Sequence, residues 1–148
     1  MAQSFGCRRC YGEDPQTVWA YYEEGLAVEQ ELVGESHFLV QLRRCEECGQ
    51  QFVWIFGEAV DWEGGEDAQR REIFPVTAAE AEAAGKLDYL SLAALGLDRR
   101  YLETDWPTAA ADPSVEWSTG ALRLPRARFG CHGAGSSKGW PRNRVRSP

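Results

Sequence analysis

Four cysteines carry the clearest chemistry in this 148-residue sequence: Cys7 and Cys10 in "CRRCYG", and Cys45 and Cys48 in "CEECGQ". In each pair two residues separate the thiols. A chain that turns tightly between them can bring both sulfurs to one ion, with the N–H groups of the turn pointing at the sulfurs. Gly12 and Gly49 follow the two pairs, and glycine permits the positive φ that such a turn often needs. Two knuckles supply four soft ligands, a set that suits tetrahedral Zn²⁺. Four thiolates fill every position on the ion and leave none for water or substrate, so a site of this kind is structural and not catalytic.

Two other uses of the cysteines stay open at this level. A thioredoxin-like redox pair sits between a strand and a helix, whereas Cys48 is followed by a strand pattern. An iron–sulfur cluster also accepts four cysteines, but nothing in the spacing favours one. The fifth cysteine, Cys131, lies beside His132 in the glycine-rich "RFGCHGAGSSKGW". That pair is either a second metal site or an incidental neighbour pair in a tail.

The elements that must position the knuckles can be read from periodicity. "LAVEQELV" and "HFLVQLRR", joined through "GES", alternate with period two and predict a hairpin leading into Cys45. After Cys48, "QFVWIFG" puts Phe52, Trp54 and Phe56 on one face and Val53 and Ile55 on the other, so a central strand covered on both faces is expected. The strands flanking Cys45 and Cys48 should pair antiparallel across the knuckle. "DWEGGED" reads as a turn and "REIFPV" as a last strand ending at Pro75. "EDPQTVWAYYEEG" is ambiguous. Asp14, Pro15 and Gly25 mark out a helix, but "TVWAYY" is rich in strand formers.

The second half changes character. Thr77 and Glu80 have capping-box spacing ahead of an alanine-rich run that stops near Gly85. Asp88 should cap a second short helix ending at Gly96, and "DRRYLETDWP" is read as one further turn. Leu87, Leu90, Leu92, Leu95 and Leu97 are expected to pack the helices on the sheet. Beyond Pro107 periodicity fades, with at most one extended piece near Val115–Trp117. The expected organisation is a domain over residues 1–106, followed by an irregular linker and a basic, disordered tail over residues 107–148.

At this point the chain resembles the zinc-ribbon class. The resemblance covers residues 7–57 and rests on the two knuckles and the strands around the second. Between Cys10 and Cys45 lie 34 residues, longer than the ~15–20 of a compact zinc motif. Together with the helices and tail read above, the expected fold class is α+β: a small antiparallel sheet with a four-cysteine zinc-ribbon-like knuckle pair, then two short helices and a flexible basic tail. The resemblance implies one structural Zn²⁺ held by Cys7, Cys10, Cys45 and Cys48, and a role in macromolecular recognition.

Charge narrows the choice of partner. Residues 1–116 hold nine Lys and Arg against 23 Asp and Glu, a net of −14, and no acid follows Glu116. An acidic body repels a duplex at long range. The primary expectation is therefore a binding or adaptor module that recognises another protein. The alternative is nucleic-acid binding through Arg8, Arg9, Arg43 and Arg44 beside the knuckles and through the basic tail. The same arginines have a second use, offsetting the charge of four thiolates. No catalytic residues are expected: His37 has no nucleophile at a motif spacing, and no phosphate-binding glycine loop occurs. The N-terminal stretch lacks the apolar run of a signal peptide, and no segment approaches the ~20 apolar residues of a membrane span. A cytoplasmic protein without a membrane partner is the expectation, and in that compartment paired cysteines point to metal or redox chemistry.

Overall fold

A computed structural model describes residues 5–59, 68–107 and 112–123. The fold is a six-stranded antiparallel meander in which each strand pairs with its sequence neighbour. Its elements are α1 (Arg8–Tyr11), α2 (Pro15–Gly25), β1 (Leu26–Glu35), β2 (Phe38–Cys45), β3 (Gln51–Ala59), β4 (Ala68–Val76), α3 (Ala78–Ala83), α4 (Tyr89–Ala94), β5 (Tyr101–Trp106) and β6 (Ser114–Ser118). A 3₁₀ turn, Ala84–Lys86, joins α3 to the segment before α4. The expected mixed α+β architecture is present.

The hairpin expected ahead of Cys45 is β1–β2, turning at Ser36 and His37. β2 and β3 pair across the second knuckle from Phe38↔Gly57 to Arg44↔Gln51. β3 lies between β2 and β4 and is buried on both faces, as its two-sided apolar pattern requires. One face of the sheet packs Val40, Leu42, Val53, Ile55, Phe74 and Val76 against Ala81, Ala84 and Leu92 of the α3–α4 segment. The other packs Phe52, Trp54, Ile73 and Leu102 against Val18, Trp19 and Tyr22 of α2. The first is mainly aliphatic and the second mainly aromatic.

The ambiguous segment after the first knuckle is a helix. Asp14 accepts a hydrogen bond from the Thr17 backbone N–H, and Pro15 opens the first turn. The local start signal and the burial of Val18, Trp19 and Tyr22 on one side override the strand propensity of "TVWAYY".

Three expectations need correction. "REIFPV" belongs to β4, which is not the last strand and runs past Pro75 to Val76. Pro75 is tolerated because β4 pairs with β5 only as far as Ile73↔Leu102, so no ladder partner needs its missing N–H. "DRRYLETDWP" is not a helical turn: Tyr101–Trp106 is strand β5. The extended piece expected near Val115–Trp117 is present as β6, which hydrogen-bonds to β5. Among the leucines, Leu92 is fully buried and Leu87 and Leu95 pack partly, but Leu90 and Leu97 are exposed. The caps themselves match the sequence reading, with a reciprocal Thr77–Glu80 capping box and Asp88 accepting from the Ser91 N–H.

The "DWEGGED" turn, the Cys131–His132 pair and the basic tail beyond Arg123 lie outside the described residues. No helix among the described residues is long and apolar enough to cross a membrane.

Candidate metal centre

The first knuckle is a single helical turn. Cys7 sits at the N-cap of α1 and Cys10 at its third position, so the thiols occupy the places that Ser and Glu take in an ordinary capping box. The Cys7 N–H points at Cys10 Sγ at 3.2 Å. The second knuckle is the turn between β2 and β3. Cys45 ends β2, the Gly49 N–H donates to the Cys45 carbonyl at 2.9 Å, and Gly49 has φ +84°. Gly49 thus supplies the positive φ expected of it. Gly12 does not: its φ is −76°, and at the first knuckle the positive φ belongs to Gly6, at +64°. A Cβ on Gly6 would lie 2.6 Å from Cys10 Sγ, so glycine is needed there for space as well as for conformation.

These two turns bring the four cysteines together. Their sulfurs all lie within 4.8 Å of one another. Cys7 Sγ is 3.7 Å from Cys10 Sγ and 3.9 Å from Cys45 Sγ, and Cys10 Sγ is 3.7 Å from Cys48 Sγ. All four are free thiols, since a disulfide would need about 2.05 Å. A tetrahedron of sulfurs each ~2.3 Å from a central ion has edges of about 3.8 Å. The observed spacings fit it, and the four cysteines are positioned to bind one metal ion. Cys10 and Cys45 are fully buried, Cys7 is half-buried and Cys48 is exposed.

The electrostatics around the thiols differ from sulfur to sulfur. Burial pushes the Cys10 thiol well up, only partly countered by the Cys7 N–H. Cys45 also feels burial, but the Tyr21 hydroxyl and the N–H groups of Cys48 and Glu47 outweigh it and hold this thiol down at about 7. Tyr21 Oη lies 3.1 Å from Cys45 Sγ. The backbone N–H groups directed at sulfur are those that the turn geometry implies.

Further residues tie the centre to the sheet. Tyr22 donates to the Cys10 carbonyl at 2.8 Å, and its ring packs on Phe52 and Trp54. Gln50 accepts from the Gly6 N–H at 3.0 Å and donates to the Val76 carbonyl at 2.7 Å, linking the first knuckle to the end of β4. Tyr11 donates to the Arg100 carbonyl at 2.7 Å, and Arg100 Nη2 returns a bond of 2.7 Å to the Tyr11 carbonyl. The Arg100 guanidinium lies over both the Tyr11 and Trp117 rings, 4.2 and 3.8 Å from their centroids. Sequence reasoning missed Tyr21, Gln50 and Arg100, because an isolated Tyr, Gln or Arg has no motif spacing.

The arginines flanking the knuckles are mostly engaged. Arg9 pairs with Glu47 at 3.3 Å, and Arg44 pairs with Glu29 and donates to the Gly49 carbonyl. Arg43 stacks 3.6 Å over the Trp54 ring. His37 lies in the β1–β2 turn with Nδ1 3.1 Å from Glu58. No protein-family model, curated protein or solved structure significantly matches this chain.

Proposed function

We propose that the chain is a zinc-stabilised binding module that works by recognising another protein, with no catalysis of its own. The observation that carries this reading is the closure of the metal centre. Three of the sulfur–sulfur spacings, 3.7, 3.9 and 3.7 Å, match the edge of a single ZnS₄ tetrahedron, and four thiolate ligands would leave no position for a substrate or an activated water. A multinuclear cluster bonded to one thiolate per iron would spread the sulfurs further apart. Zinc at Cys7, Cys10, Cys45 and Cys48 would offset thiolate charge and cross-link α1 to the β2–β3 turn.

A rigid sheet with an acidic body then serves as the platform. The exposed Leu90 and Leu97 offer apolar contact on the side of the helices α3 and α4. The internal pairing of Arg9 with Glu47 and of Arg44 with Glu29 supports a protein partner over nucleic acid, because these two guanidinium groups already face carboxylates.

The test is affinity purification of the full chain from its native host, with metal analysis on the same sample. Co-purification of a stoichiometric protein partner with about one zinc per chain is the expected result. A lone monomer in every lysate would overturn the adaptor reading. Binding to single- or double-stranded nucleic acid at low salt that requires Arg8 or Arg43 would favour the alternative.

A further inference from the structure

Arg70 and Arg71 are neighbours in β4 and project to opposite faces of the sheet. Their surroundings form an internal comparison. Arg70 is buried among carboxylates: Nε is 3.0 Å from Glu72, Nη2 is 2.9 Å from Glu103, and Asp105 lies 3.9 Å from Nη1. Arg71 is surrounded by rings. Its guanidinium carbon lies 4.8 Å from the centroid of Phe56, 4.9 Å from Trp106 and 5.9 Å from Trp19.

Among the described residues, no carboxylate lies within ion-pair distance of Arg71 or of Arg43. The two guanidinium charges are close enough to repel each other. Glu23 and Glu58 act on Arg71 only at longer range, and burial holds its pKa below the ordinary value. The fully buried Arg70 and the part-buried Arg99 both sit on acids. In a chain with 23 acidic residues, Arg71 and Arg43 instead lie over aromatic rings.

A second observation points to the same place. Arg71 pairs in register with Thr104, so both side chains stand on the aromatic face. Thr104 is fully buried, and its Oγ1 has no hydrogen-bond partner; Arg71 Nη1 is also buried and unpartnered. Two orphaned polar groups side by side in an aromatic surround cost free energy unless a ligand satisfies them.

We propose that Arg71, with Arg43 and Thr104, forms a binding site for an oxyanion, a carboxylate or a phosphate, on the aromatic face of the sheet. The planar guanidinium of Arg71, fixed by stacking, presents N–H donors in a fork that matches either group. Thr104, opposite Arg71 in register, offers its unpartnered hydroxyl as a further donor. Phe56 and Trp106, both half-buried, provide apolar contact for the body that carries the oxyanion. The site shares none of its three residues with the four-cysteine centre and does not depend on a protein partner.

The test uses the full, metal-loaded chain. Tryptophan fluorescence and the arginine Nε–Hε NMR signals are followed while inorganic phosphate, and in a second arm citrate, is titrated against sodium chloride of matched ionic strength. A saturable response to phosphate alone assigns a phosphate site; a response to citrate alone assigns a carboxylate site. Arg71→Met should weaken the response roughly tenfold or more, as expected for loss of a charge-assisted fork. Arg43→Met should weaken it less, and Arg8→Gln should leave it unchanged. The melting temperature of Arg71→Met should stay level or rise, because a buried charge without a counter-ion has been replaced by an apolar chain of similar length. A response no different from that of chloride in both arms would overturn the proposal. So would an Arg71→Met variant that melts much lower and still binds normally.

Discussion

The two faces of the sheet are covered in different ways. The aliphatic face is closed by α3 and α4, short helices fixed by local signals: a Thr77–Glu80 capping box, an Asp88 cap and buried Ala81, Ala84 and Leu92. The aromatic face is closed by α1 and α2, which reach the sheet through Tyr22, Trp19 and the four-cysteine centre. A one-turn helix such as α1 has little stability of its own. The difference teaches where cross-linking is needed: helices that pack by aliphatic burial hold themselves, whereas the turn Arg8–Tyr11 depends on its thiols.

The largest expected effect follows from that contrast. Cys45→Ser, or removal of metal with a strong chelator, should release α1 and loosen α2 while α3 and α4 stay protected. Structural zinc supplies roughly 10–16 kcal/mol in small zinc peptides; here the loss should be a part of that, because both faces also bury apolar side chains. Hydrogen exchange resolved along the chain would show it. Equal loss of protection on both faces would break the distinction.

Next in size is the ionic cluster within the aliphatic face. Glu72 is fully buried and accepts from Arg70 Nε and from the Arg123 backbone N–H, while Glu103 accepts from the Ser118 hydroxyl. Arg70 Nη2 approaches Glu103 without hydrogen-bond alignment. Arg70→Met removes the buried guanidinium that both carboxylates face, and a destabilisation of about 3–5 kcal/mol is expected in chemical denaturation. The matching change on the other face, Arg71→Met, should cost nothing, which sharpens the comparison.

A smaller effect comes from Glu80, which accepts from Arg99 Nη1 and Nη2 at 2.6 and 2.7 Å and from the Thr77 N–H at 2.8 Å. The Arg99 bonds hold its carboxyl below the ordinary value. A depressed carboxyl stabilises the fold above its unfolded pKa of about 4.3 and loses that contribution as pH falls through the folded value. Glu80→Gln should therefore cost about 2 kcal/mol at neutral pH and flatten the acid side of the stability profile below about pH 4.3. Thr77→Ala, which removes only the reciprocal cap, should cost about 1 kcal/mol in thermal melts.

The parts of the fold legible in the sequence are those with short-range causes. The hairpin into Cys45, the two-sided β3, the Thr77 and Asp88 caps and the metal-binding spacing of the cysteines all follow from residues a few positions apart. β5 was not legible, because "YLETDW" alternates around Glu103, a charge buried against Arg70 33 positions earlier. Hydrophobic periodicity cannot register a buried carboxylate whose cation lies on another strand. Leu90 and Leu97 misled for the converse reason: they are apolar but exposed. At the site, the four thiols were legible by spacing, whereas Tyr21 and Gln50 depend on how α2 and β4 approach the knuckles.

The most direct measurement of the central claim is zinc content per chain in freshly purified full-length protein, paired with its melting curve before and after chelation. About one equivalent of zinc, bound through Cys7, Cys10, Cys45 and Cys48, with a clear fall in melting temperature on chelation, is expected. Far less than one equivalent of metal, with melting unchanged by the chelator, would contradict it.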